Sequence, residues 1–137
     1  MDAKETLKKV PIFAKLEDKH LKQLAGIMVP RKFAAGDVVV KEGDAGAGVF
    51  LISSGQVEVV KGDDVLNTLG PGEFFGEMSL FEGFPRSATV RAMEDTECLA
   101  MTRWDFRAEL SQHAEIAVAV LETVVRRLRE ADVKLSE

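Results

Sequence analysis

The chain has 137 residues, a formal net charge of -5, 46% hydrophobic residues and 30% charged residues. That suits one soluble globular domain with a real core, and a negative surface disfavours a coat for a phosphate polymer. Cys98 is the single cysteine, which excludes an internal disulfide. The N-terminus shows no secretory signal pattern, and no apolar run approaches the roughly 20 residues of a membrane span. A cytoplasmic protein is expected, with no membrane span in the chain.

In chain order, residues 4–28 read as two helical pieces. Leu7, Val10, Ile12, Phe13 and Leu16 form one apolar group. Asp18 is placed to cap a second helix carrying Leu21, Leu24 and Ile27, and Pro30 ends it, since proline disfavours helical geometry in the residue before it. From about residue 31 to 102 β-branched bursts alternate with Gly/Asp turn signals. The segments 38–41, 49–53, 56–60, 65–69, 87–93 and 97–102 read as strands. Many short strands at near-regular spacing predict a small antiparallel β-barrel or jelly roll.

Helical periodicity returns after Arg103, with a short helix over 103–112 and a long one over about 114–134. In the long helix Ala117, Leu121, Val124, Leu128, Ala131 and Leu135 recur at alternating steps of four and three, a seam on one face. The seam packs on the chain's own barrel, covers a ligand, or meets a second copy or an effector protein. The expected fold is therefore mainly β with flanking helices. One domain spans 1–137: an N-terminal helical segment over 1–28, a barrel over 29–102 and C-terminal helices over 103–137.

The most informative stretch runs from Phe74 to Ala92, FFGEMSLFEGFPRSATVRA. Pro71, Gly72 and Gly76 break the strand pattern, and residues 77–82 read as one helical turn. A helix start leaves backbone N–H groups without partners and carries partial positive charge, so it attracts anions. Arg86 follows between a proline and a strand, where it could add charge-assisted hydrogen bonds to that anion. Glu77 at the same mouth repels a phosphate but accepts hydrogen bonds from a sugar hydroxyl. A phosphate, a hydroxyl pair and apolar walls describe a nucleotide-sized pocket. Each residue taken alone has an ordinary structural role: Glu77 favours a helix start, and Arg86 pairs with Glu77 or Glu82.

The stretch resembles the phosphate-binding cassette, here 74–90, of cyclic-nucleotide-binding domains. That family includes bacterial catabolite-activator-type regulators, cAMP-dependent kinase regulatory subunits and nucleotide-gated channels. The resemblance lies in Phe75-Gly76-Glu77, Met78-Ser79-Leu80, Phe81-Glu82-Gly83-Phe84 and Pro85-Arg86-Ser87-Ala88-Thr89-Val90. It extends to the lead-in 12–16, the second-strand region 36–44 and the hairpin 49–59. It implies that Arg86 holds the cyclic phosphate and Glu77 the ribose 2′-hydroxyl. Gly76, Met78, Ser79, Ser87 and Ala88 would complete the cradle, with Leu69 and Phe75 as apolar walls. The base would lie against the long C-terminal helix, at Arg127. Ser87 after the cassette arginine points to cAMP, with cGMP as the second ligand.

The resemblance implies a sensor without catalytic residues, cofactor or metal. An enzyme on a cupin-type barrel would need several metal-binding histidines, whereas His20 and His113 both fall in predicted helices outside the barrel. Cys98 reads as an inert buried thiol. Residues 1–137 leave no room for a DNA-recognition helix after the long helix, so the chain is expected either to stand alone or to be the ligand-binding piece of a larger regulator or channel. A scaffold that has lost its ligand and dimerises through its C-terminal helix is a further alternative.

Overall fold

The computed structural model describes residues 3–10, 13–14, 16–43, 48–76 and 88–136, with residue 3 and residues 131–136 described by their backbone only. Among these residues the elements are, in order, α1 (Ala3–Lys8), α2 (Asp18–Ile27), β1 (Val29–Phe33), β2 (Val38–Val40), β3 (Gly48–Ser54), β4 (Val57–Lys61), β5 (Asp64–Leu69), β6 (Phe74–Phe75), β7 (Thr89–Ala92), β8 (Thr96–Thr102), α3 (Arg103–Gln112) and α4 (Ala114–Ser136).

The helices begin where local chemistry favours it. Asp18 does not cap α2: Glu17 takes the N-cap position, without a side-chain cap bond, and Asp18 is the first helical residue. Its carboxylate accepts a hydrogen bond from Lys4 Nζ at 2.9 Å and lies 3.5 Å from Lys8 Nζ, which ties α1 to α2. The Lys4 bond holds that carboxyl below its ordinary range. Before α3, Thr102 Oγ1 accepts from the Asp105 amide at 3.1 Å, a side-chain cap. The helix stops at His113, whose N–H donates to the Glu109 carbonyl and whose own carbonyl accepts from Ile116 in the first turn of α4.

The strands form two four-stranded antiparallel sheets, ordered β1-β8-β3-β6 and β2-β7-β4-β5. This corrects the expected barrel or jelly roll: among the described residues neither sheet closes, and no ladder joins one to the other. Closure requires every edge strand to find a hydrogen-bonding neighbour. Here β2 has three residues and β6 two, and β1 contains Pro30, which lacks a donor. Pro30 does not merely end the preceding helix. It sits opposite Leu99 in an edge strand, where proline is tolerated. The architecture is thus a mixed α/β fold, with four helices among the described residues.

The sheet containing β3 and β8 is the middle layer. Its strand alternation divides the apolar residues between two cores. Val49, Leu51, Phe74, Leu99 and Met101 face the helices and pack with Leu7, Phe13, Leu21, Leu24, Phe106, Ile116 and Val120. Phe50, Ile52, Phe75 and Cys98 face the other sheet and meet Val57, Leu69 and Val90. The β3–β4 turn passes tightly over the start of β8. A Cβ on Gly55 (φ +89°) would lie 2.5 Å from the Asp95 carbonyl oxygen, so only glycine fits there.

The long helix packs differently from the expected seam. Ile116 and Val120 are buried, and Ala119 and Val124 pack against the same core. Leu121 and Leu128 instead stand 63% and 62% exposed, together with Val118 and Val125. The side chains of Ala131 and Leu135 lie outside the described residues. A helix of 3.6 residues per turn can carry two apolar stripes, and the body covers only one of them.

Candidate functional site

The cassette stretch begins on one sheet and ends on the other. Phe74–Phe75 forms β6, an edge of the middle sheet, while Thr89–Ala92 forms β7, an interior strand of the second sheet. Glu77, Met78, Ser79, Arg86 and Ser87 lie outside the described residues, so the structure places the two flanks, Gly76 and Ala88. Gly76 leaves β6 with φ +93°, a left-handed turn that side chains resist, and this redirects the chain immediately before Glu77.

The expected apolar walls are part of the inter-sheet core. Phe75 stacks on Phe50 with ring centroids 5.1 Å apart and planes 9° from parallel. Leu69, at the end of β5, is 5% exposed in the same core. Leu69 also borders a cleft of about 880 Å³ between β5, the turn before β6 and one side of α4. Asn67, Leu69 and Phe74 line one wall, and Ala119, Thr123, Arg126 and Arg127 line the other. Small-molecule sites typically occupy about 300–1,000 Å³, so the cleft is large enough for a nucleotide. The Gly70 amide donates to Glu73 Oε2 at 3.0 Å and shapes the turn at its mouth.

The structure thus brings Leu69 and Arg127 to one cleft and sets Phe75 behind it. Arg127 donates to the main-chain carbonyl of Phe74 and lies over the Phe74 ring, its guanidinium carbon 5.0 Å from the centroid. Phe74, Asn67 and Thr123 were not singled out from the sequence. Phe74 carried a usable signal: in a two-residue strand its neighbour Phe75 must face the opposite side.

No group of three or more potential metal ligands occurs among the described residues. Burial pushes the Cys98 thiol up to about 11, which keeps the nucleophilic thiolate scarce near neutrality. The structure does join the two histidines, distant in sequence, where α2 meets the α3–α4 joint. Their ring centroids are 4.6 Å apart, and His113 Nε2 lies 3.5 Å from Glu109 Oε2. No helix among the described residues is long and apolar enough to cross a membrane.

Comparison with known proteins agrees with this frame. The family model described as the cyclic nucleotide-binding domain matches residues 30–113. The cyclic AMP receptor protein of Thermus thermophilus is 35% identical over 134 residues, covering 94% of this chain and 62% of that protein. A cyclic nucleotide-gated potassium channel of Rhizobium etli is 38% identical over 118 residues, covering 86% of this chain and 33% of the channel. Among solved structures, the Thermus thermophilus catabolite activator protein superposes with a TM-score of 0.80 at 36% identity, covering 92% of this chain and 62% of that one. The N-terminal domain of a transcriptional regulator from Streptomyces coelicolor gives 0.71 at 32% identity, covering 95% and 94% of the two chains.

The chain belongs to the cyclic nucleotide-binding domain family. It is a non-catalytic, cyclic-nucleotide-binding regulatory module related to transcription regulators, kinase regulatory subunits and nucleotide-gated channels. It spans about three fifths of the Thermus receptor and a third of the channel.

Proposed function

We propose that the module binds cAMP in preference to cGMP at residues 74–90 and reports occupancy through α4. The observation that carries this reading is the placement of the cassette stretch. It links the two sheets between Gly76 and Ala88, while Leu69 borders a nucleotide-sized cleft whose far wall is α4. In this proposal Arg86 pairs with the cyclic phosphate and Glu77 accepts from the ribose 2′-hydroxyl. Main-chain groups of Gly76, Met78, Ser79, Ser87 and Ala88 complete the cradle, and Leu69 and Phe75 supply the apolar wall. The base faces α4 near Arg127. Ligand shifts the helix toward a closed position by binding that position more tightly.

Titration calorimetry of cAMP and cGMP into the wild type and Arg86→Ala tests the site. Removing one partner of a buried charge pair costs about 2–5 kcal/mol, so the variant loses about 30-fold or more in affinity. Equal affinity in the variant contradicts the assignment, and tighter cGMP binding overturns the preference.

In a larger regulator or channel, α4 would pass the signal onward. The exposed stripe of Val118, Leu121, Val125 and Leu128 repeats at steps of three and four, which favours contact with a second copy. Sedimentation of the chain with and without nucleotide tests this contact: a dimer is expected, and a monomer at high concentration in both states contradicts it.

A further inference from the structure

β6 is two residues long, and each side chain is anchored in a different core. Phe74 enters the helical core with Ile116 and Val120 of α4, while Phe75 enters the inter-sheet core and stacks on Phe50. Cores packed to crystal-like density transmit displacement, so β6 cannot shift at one end while the other stays in place. Gly76, the first residue of the cassette turn, follows directly.

Arg127 grips this lever from outside. It lies eleven residues beyond Ile116, about three turns along the same face of α4. Beyond it the described side chains of α4 are exposed, so it is the last half-buried position before Leu128. Its guanidinium donates to the Phe74 carbonyl and covers the Phe74 ring. Among the described residues β6 has a strand neighbour on one side only. The guanidinium therefore brings a charged donor to a main-chain acceptor at the sheet edge, and adds a cation–π contact with the same residue.

We infer that Arg127 is a positioning residue that couples α4 to the cassette through Phe74. Its grip on main chain makes the outer half of α4 follow β6, and β6 leads into Gly76. The consequence for signalling rests on the proposed nucleotide reading of residues 74–90, whereas the clasp itself does not.

Amide hydrogen exchange of the full chain, with and without saturating cAMP, separates the two. The proteins compared are the wild type, Arg127→Ala and Arg127→Lys. Without nucleotide, loss of a charge-assisted bond is expected to speed exchange in residues 120–130 about tenfold in Arg127→Ala. Arg127→Lys, which keeps the charge but not the planar fork, recovers part of the protection. With cAMP, exchange over 120–130 slows in the wild type. In Arg127→Ala, with cAMP raised until calorimetry shows saturation whatever the affinity, the slowing in α4 is lost. Unchanged exchange in nucleotide-free Arg127→Ala overturns the clasp, including the case where cAMP affinity falls, which would mark a contact with the base alone. Full cAMP-dependent slowing in Arg127→Ala overturns the coupling. If neither cAMP nor cGMP binds the wild type, the nucleotide reading and the coupling fall together, while the nucleotide-free comparison still upholds or overturns the clasp.

Discussion

The two cores on either side of the middle sheet differ in how they are closed. The helical core is covered by α1, α2, α3 and the inward stripe of α4, and Phe13, Leu7 and Ile116 within it are at most 2% exposed. The inter-sheet core is smaller and borders the cleft at Leu69. In the proposed reading the deep residues of the first core, such as Phe13, serve stability alone, whereas Leu69 of the second serves stability and ligand binding together. The proposed site sits where the two cores come together at the cleft, at Phe74 of the first and Leu69 of the second, and the deep part of the helical core holds the frame.

The largest expected effect lies in the sealed core. Phe13→Ala should cost about 3–5 kcal/mol in denaturant unfolding, through lost burial and the cavity left behind. Nucleotide affinity of the molecules that remain folded should barely change, and a parallel loss of affinity would erase the distinction. At the border, Leu69→Ala should cost about 2–4 kcal/mol of stability and also weaken cAMP binding measurably in calorimetry. A loss of stability with unaltered affinity would remove Leu69 from the ligand wall.

Cys98 sharpens the comparison from inside the inter-sheet core. Burial raises its thiol from an ordinary 9.0 to about 11, so the unfolded chain releases this proton first as pH rises. Stability from the neutral thiol is complete below pH 9 and is lost between 9 and about 11. Unfolding curves measured across that range should lose some of their alkaline slope in Cys98→Ala, and an identical slope would mean the site is wetter than the packing indicates. The smallest effect belongs to the outward stripe of α4. Leu121→Ala and Leu128→Ala should change the stability of the monomeric chain by at most about 0.5 kcal/mol, because neither residue is covered. A larger cost that rises with protein concentration would show that a second copy covers them.

Local features were legible in the residues. Turn glycines and β-branched bursts located six of the strands, and α3 ends where its periodicity ends. The misses arose from long-range geometry. Pro30 read as a helix stop, yet an edge position lets it join β1, and edge status depends on a partner near residue 99. β6 is too short to show periodicity. Closure into a barrel depends on hydrogen bonds between distant edges, and alternating residues look the same whether sheets close or stay open. In α4 two stripes were available, and only the packed body selects Ile116 and Val120. The cassette stretch was legible as a family resemblance, and the family model matches residues 30–113, which include it. The partner of Arg127 was not legible, because a backbone carbonyl leaves no trace in sequence.

The central claim is that a cyclic nucleotide occupies the connection between β6 and β7. Amide NMR titration with cAMP tests it most directly, using Gly76 and Ala88 at the two flanks as reporters. Saturable shifts at both, with 1:1 stoichiometry, are the predicted result. Unmoved Gly76 and Ala88 amides at millimolar cAMP and cGMP, or saturable shifts confined to another surface, would contradict the account.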